Sequence, residues 1–105
     1  MTKIITTVYI ASPYTKGDVA INVRKSFEVA DILVSKGYLP YTPLSSHFWH
    51  MMFPYPYEFW LDFDLAWILR CDCVLRLSGE SIGADKEVEF AKVHDIPVFY
   101  SIDEL

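Results

Sequence analysis

Hydrophobic and polar positions along the chain alternate between two periods, one suited to strands and one to helices. Ile4 to Ala11 (IITTVYIA) is a β-branched and aromatic run, and SPYTKGD ends it with turn residues. Asp18 stands where it would cap a helix running to about Lys36, with Val23, Phe27, Ala30 and Leu33 or Val34 along one face. Gly37 stops that helix, and Tyr38 to Pro43 (YLPYTP) reads as a short second strand. An aromatic loop, LSSHFWHMMFPYP, precedes a helix from about Tyr57 to Arg70. Asp72 to Leu77 (DCVLRL) is a third strand and SGESIG a turn. A helix from about Ala84 to Asp95 and a fourth strand, Ile96 to Ser101 (IPVFYS), complete the pattern.

Strands alternating with helices imply βαβ crossovers and a parallel sheet covered on both faces. The expected fold is therefore an α/β three-layer Rossmann/flavodoxin-like sandwich. It has a small parallel β-sheet of four to five strands, helices on both faces, and a single domain over residues 1–105. Ligands of such sheets bind beyond the carboxyl ends of the strands, where strand order reverses. The turns after Ala11, Pro43 and Leu77 are the segments to watch. No repeat, low-complexity tract or linker interrupts the chain.

Composition narrows the class of partner. The chain is 52% hydrophobic and 16% aromatic, more than a soluble monomer of 105 residues needs, so part of that surface is expected in a pocket or a subunit interface. A net charge of -5 argues against duplex nucleic acid, although a helix N-terminus can hold a single phosphate without a basic patch. No stretch is long and apolar enough to span a membrane, and the first residues lack a signal-peptide pattern. Cys71 and Cys73 are too close for an ordinary disulfide and have no second pair with metal-ligand spacing. The expected compartment is cytoplasmic.

Two carboxylates fall among apolar neighbours. On a wheel of about 100° per residue, Asp85, Glu89 and Lys92 share one side of the last helix. Val88, Phe90, Ala91 and Val93 form the opposite arc, and Glu87 lies inside it. A carboxylate there needs a partner or a task. In the first turn the helix dipole would keep it ionised, as a nucleophile requires; the ordinary alternative is a glutamate that only favours the dipole. In the preceding helix Glu58 and Asp62 share a solvated side. Asp64 sits among Trp60, Leu61, Trp67 and Ile68, either as a functional group or as a structural acceptor for a backbone or indole N–H. Two converging carboxylates are the minimal equipment for displacement at an anomeric carbon, and retaining enzymes hold such a pair about 5–5.5 Å apart. Ser81 and Gly83, just ahead of the last helix, offer a hydroxyl and close backbone approach to a phosphate, or merely an N-cap.

Three blocks in order resemble the nucleoside 2-deoxyribosyltransferase superfamily, which includes deoxynucleoside 5'-monophosphate N-glycosidases. VYIASPY (Val8 to Tyr14) is similar to its opening strand and loop, and DLAWILRCDCVLRL (Asp64 to Leu77) to its Asp-bearing helix running into a strand. SIGADKEVEFA (Ser81 to Ala91) is similar to its Gly-containing turn and Glu-x-x-x-Ala helix. The resemblance implies that Glu87 attacks the sugar C1', Tyr9 positions that glutamate, and Asp64 contacts the sugar or the departing base. Ser81 and Gly83 would hold a 5'-phosphate, and Ser12, among the small residues after Tyr9, would line the substrate loop. It also implies no cofactor, a nucleoside or nucleotide as ligand, and a homo-oligomer, dimer or higher, whose neighbouring subunit completes the pocket. SPYTKGD replaces a glycine-richer loop, the insert Ser45 to Tyr57 has no counterpart, and the chain ends at IDEL with little room for acceptor contacts. This last feature tilts the expectation from transfer toward hydrolysis.

Other residues invite blander readings. His47 and His50 lack a third ligand for a metal, and with Phe48, Trp49 and Tyr55 they suit stacking near a base, a loop over the sheet, or a subunit interface. His94 reads as a helix C-terminal cap. Asn22 and Arg24 read as solvent-exposed, although both lie where a phosphate is within reach. The alternative to an enzyme is a non-catalytic nucleotide-binding or sensing module of the same fold. A third possibility is an assembly protein, which would have no need of Glu87 and Asp64 on apolar arcs.

Overall fold

A computed structural model describes residues 6–105; Ile4 and Ile5 of the expected first strand lie outside them. Four strands, β1 (Thr7–Ala11), β2 (Leu39–Tyr41), β3 (Cys73–Arg76) and β4 (Val98–Phe99), form one parallel sheet in the order β2-β1-β3-β4. That is the doubly wound order in which the chain reverses direction between β1 and β3. The expected Rossmann/flavodoxin-like sandwich is present.

β1 is central, and Val8 to Ala11 are completely buried, as a parallel strand covered on both faces must be. Its side chains alternate. Val8 and Ile10 pack with Leu33 of α1 (Val19–Ser35), Cys73, Leu75 and Leu77, where the C-terminal residues Ile102 and Leu105 also cover the sheet. Tyr9 and Ala11 face the other layer, with Ile68 of α3 (Tyr57–Ile68), Val74, and Ala84 and Ala91 of α4 (Ile82–Val93).

The helices begin and end for local reasons. Asp18 accepts the Ile21 N–H at 3.1 Å as the N-cap of α1. At the other end Gly37, at φ +92°, lets the Tyr38 N–H turn back to the Leu33 carbonyl at 3.0 Å. The buried face of α1 is Val23, Ser26 and Leu33, while Phe27 and Val34, expected inward, are 43% and 59% exposed. The reason is a polar crossing point: Ser26 Oγ donates to the Val23 carbonyl and lies 2.9 Å from Thr42 Oγ1, a contact that needs a small residue.

The expected aromatic loop is instead mostly helical. A 3₁₀ turn (Pro43–Ser46) runs into a short helix, α2 (His47–Met52). The helix period was hidden there because α2 has no buried residue and hence no apolar–polar contrast. The last helix starts two residues earlier than its pattern suggests, since Ser81 Oγ accepts the Ala84 N–H at 3.1 Å and fixes the first turn at Ile82. Val93, placed by the wheel on its inner arc, is 68% exposed because it lies on the last turn, beyond the sheet.

Candidate active site

The carboxyl ends of β1 and β3 open onto a cleft of about 670 Å³. The loop after β1 contributes Ser12, Tyr14 and Lys16. The segment after β2 contributes Pro43, Leu44 and the histidines of α2, α3 contributes Trp60 and Asp64, and α4 with its preceding loop contributes Glu80 to Ala84, Lys86 and Glu87. These are the three turns singled out in the sequence.

Glu87 lies in this wall, 6% exposed. Tyr9, completely buried on β1, donates a hydrogen bond from its hydroxyl to Glu87 Oε2. The bond joins residues 78 positions apart, and nothing local in the sequence signals it. Tyr9 in turn lies against Tyr41, with ring centroids 5.8 Å apart, and Tyr41 stacks on Trp67 at 4.9 Å. The tyrosine that aims at Glu87 is therefore braced by an aromatic column.

Electrostatics depart from the expectation of an ionised glutamate. With α4 starting at Ile82, Glu87 belongs to the second turn, where the dipole has faded. Burial instead pushes its pKa up to about 8, with the Tyr9 hydrogen bond pulling down, Asp64 pushing up and Arg76 pulling down. Burial likewise raises Asp64 to about 7. Tyr9 is held well above its ordinary value, first by burial and then by the charges of Glu87 and Asp64. Near neutral pH Glu87 thus keeps most of its protons, while Asp64 is close to its midpoint.

Asp64 is not the acceptor for an indole. Trp60 Nε1 donates to His50 Nδ1 at 2.7 Å, and Asp64 Oδ1 is buried with no hydrogen-bond partner. Such an atom costs free energy unless a water or a ligand meets it. Ser12 Oγ shares this condition. Ser81 lines the cleft as the N-cap of α4; its Oγ is occupied as an acceptor but still carries a proton to donate. Gly83 is inside the first turn of α4 rather than ahead of it. A Cβ there would meet Tyr57 Oη at 3.8 Å, an ordinary contact, and the residue lines the cleft.

Several residues of the site were missed in the sequence. Arg76, at the end of β3, donates to the Leu77 carbonyl, to the Gly79 carbonyl at 2.9 Å and to Asp85 Oδ1 at 3.0 Å. It ties the loop after β3 to α4 and sets a positive charge near Glu87. Its signal was present, an arginine closing an apolar strand. Tyr14 Oη and His47 Nδ1, 2.6 Å apart, join the loop after β1 to α2 across the cleft mouth. Asn22 faces the β1 loop rather than solvent, donating to the Tyr14 and Lys16 carbonyls. Arg24 pairs with Glu28 at 3.1 Å on the surface. His94 caps α4 as expected, with Nδ1 2.9 Å from the Phe90 carbonyl. Among the described residues no group of His, Cys, Asp and Glu is placed to hold a metal ion, and no helix is long and apolar enough to cross a membrane.

Residues 6–101 match the family model described as a domain of unknown function, DUF7768. No curated protein matches the sequence. Among solved structures the chain is similar to a 2-deoxyribosyltransferase from the psychrotolerant bacterium Bacillus psychrosaccharolyticus, with a TM-score of 0.67 and 17% identity, over 89% of this chain and 69% of that one. At that identity the likeness establishes a shared fold.

Proposed function

The chain belongs to the DUF7768 family, and we propose that it cleaves the N-glycosidic bond of a nucleoside or nucleoside 5'-monophosphate through a covalent glycosyl–Glu87 intermediate. The observation that carries this reading is the buried Tyr9–Glu87 pair sharing one cleft with the unpartnered carboxyl of Asp64. The fold shared with a 2-deoxyribosyltransferase agrees with it.

In the proposed sequence Glu87, ionised and aimed by the Tyr9 hydroxyl, attacks C1'. The bond from C1' to the base nitrogen breaks and its electron pair leaves with the base, while neutral Asp64 gives its proton to that base. Water then attacks C1', Asp64 takes its proton, and the Glu87 carboxylate departs with retention at the sugar. A second base in place of water gives transfer instead. Burial raises both carboxyls, so the pair titrates near neutral pH and can hold one proton between them; the Tyr9 hydrogen bond favours the charge on Glu87 and leaves that proton to Asp64. Ser81 and the Gly83 N–H at the start of α4 hold a 5'-phosphate, and Ser12 closes the sugar side. The exposed side chains Phe48, Met51, Met52 and Phe53 beside the cleft are the surface for the expected homo-oligomer.

The test is release of free base, followed by chromatography, from a panel of nucleosides and 5'-monophosphates, with Glu87→Gln as control. Base release by the wild type and none by the variant supports the reading. Saturable binding without release from any substrate would establish the non-catalytic binding module instead. A 2'-fluorinated substrate should leave a mass adduct on the peptide containing Glu87.

A further inference from the structure

The cleft continues past the carboxyls. Between the loop after β1 and the loop after β3 lies a smaller recess of about 190 Å³. Ser12, Lys16 and Glu80 line both cavities, so the two are contiguous at the strand-order switch point.

Gly79 has φ +118°, and a Cβ there would stand 2.8 Å from Pro13 Cγ. The loops after β1 and β3 therefore pack directly on each other at that wall, through Pro13 and Gly79. Asn22 holds the opposite rim through its bonds of 2.9 and 2.8 Å to the Tyr14 and Lys16 carbonyls. The polar groups point to an anion. Ser12, 7% exposed, presents a hydroxyl with no hydrogen-bond partner at the boundary of the two cavities. Lys16 and Lys25 line the recess as two ammonium groups against the single carboxylate of Glu80, which lies 3.4 Å from Lys16.

We propose that this recess is an anion subsite for the outer phosphates of a nucleoside 5'-polyphosphate, whose sugar and first phosphate occupy the main cleft. The proposal rests on the nucleotide reading of that cleft and extends it. A ligand that leaves the cleft as a chain of negative groups meets Ser12 and Lys16 at the boundary and Lys25 beyond it. Flexible ammonium point charges suit a phosphate chain, and Glu80 is the counterion that the chain displaces from Lys16.

Binding is measured by titration calorimetry on the whole chain. The probes are inorganic tripolyphosphate, orthophosphate, and the 5'-mono- and 5'-triphosphates of the four deoxynucleosides. Tripolyphosphate and at least one triphosphate should bind more tightly than orthophosphate and the matching monophosphate, with affinity falling as salt is raised. Lys25→Ala should weaken triphosphate binding about three- to tenfold and leave monophosphate binding unchanged, since Lys25 lines only the recess. Glu80→Gln should tighten triphosphate binding, a gain that damage to the fold does not produce. Equal affinity for mono- and triphosphates, or equal losses for both in Lys25→Ala, would overturn the subsite. Absence of base release with the triphosphate preference intact would overturn the glycosidase reading and leave the subsite standing.

Discussion

The two faces of the sheet are built from the same strands and yet do opposite things. On the α1 face, Val8, Ile10, Leu33 and Leu75 form a dry core without a titratable group among its buried members other than Cys73. On the α3 and α4 face, one residue further along β1, Tyr9 replaces an aliphatic side chain, and Glu87 and Asp64 replace what would be helix packing. The difference teaches where stability and chemistry are kept apart. One face supplies burial for the fold, and the other uses burial to raise the pKa of two carboxyls toward neutral pH.

The largest expected effect separates the faces by activity. Glu87→Gln keeps the shape and the acceptor for the Tyr9 hydroxyl but removes the nucleophile, so base release should fall by about 10³-fold or more while circular dichroism is unchanged. If Glu87→Gln instead unfolds the protein, the second face is structural too and the comparison fails. The mirror change, Leu33→Ala in the dry core, should cost about 2–5 kcal/mol in denaturant unfolding. Whatever protein remains folded should turn over near the wild-type rate per molecule.

Tyr9→Phe is a finer cut, because it preserves the ring against Tyr41 and deletes only the donor to Glu87. Loss of one buried hydrogen bond to a charged group, about 1.5–3 kcal/mol, predicts a rate lower by about 10–100-fold. The rise of rate with pH should also move upward, since the Tyr9 hydrogen bond pulls the Glu87 pKa down. A merely structural tyrosine would lower stability and leave that profile in place.

The same contrast explains what the sequence made legible. Strands, helices and their order follow from periodicity, which is a local property, and the α1 face follows with them apart from Ser26, Phe27 and Val34. Glu87 and Asp64 were visible as charges that broke an apolar arc. Their protonation was not visible: it depends on burial contributed by β1, α3 and α4 together, and on α4 starting at Ile82 rather than Ala84. Nor was the helix α2, whose side chains lack the contrast between faces that marks a helix. Arg76 and Tyr14 were missed, and His47 was read without its bond to Tyr14, because each reads as ordinary until a distant segment is folded against it.

The smallest expected effect concerns stability alone and has a definite sign. Glu87 has a pKa near 8 in the fold and about 4.3 in an unfolded chain. Below about pH 4 both states are protonated and the group is neutral toward folding. As pH rises toward 8 the unfolded chain ionises while the folded one resists, so the unfolded state is progressively favoured, and above 8 the penalty is constant. Asp64, raised to about 7, acts in the same direction over a slightly lower window. The wild type should therefore lose stability between about pH 4 and pH 8, and Glu87→Gln, which cannot ionise, should lose less. With water entering the cleft to soften the burial, the difference between the two proteins at pH 8 is on the order of 1–3 kcal/mol, or several degrees in Tm. It should shrink to almost nothing at pH 4. A Glu87→Gln variant less stable than wild type at pH 8 would mean that Glu87 is ionised and well paired in the fold, and that both faces of the sheet are built for stability.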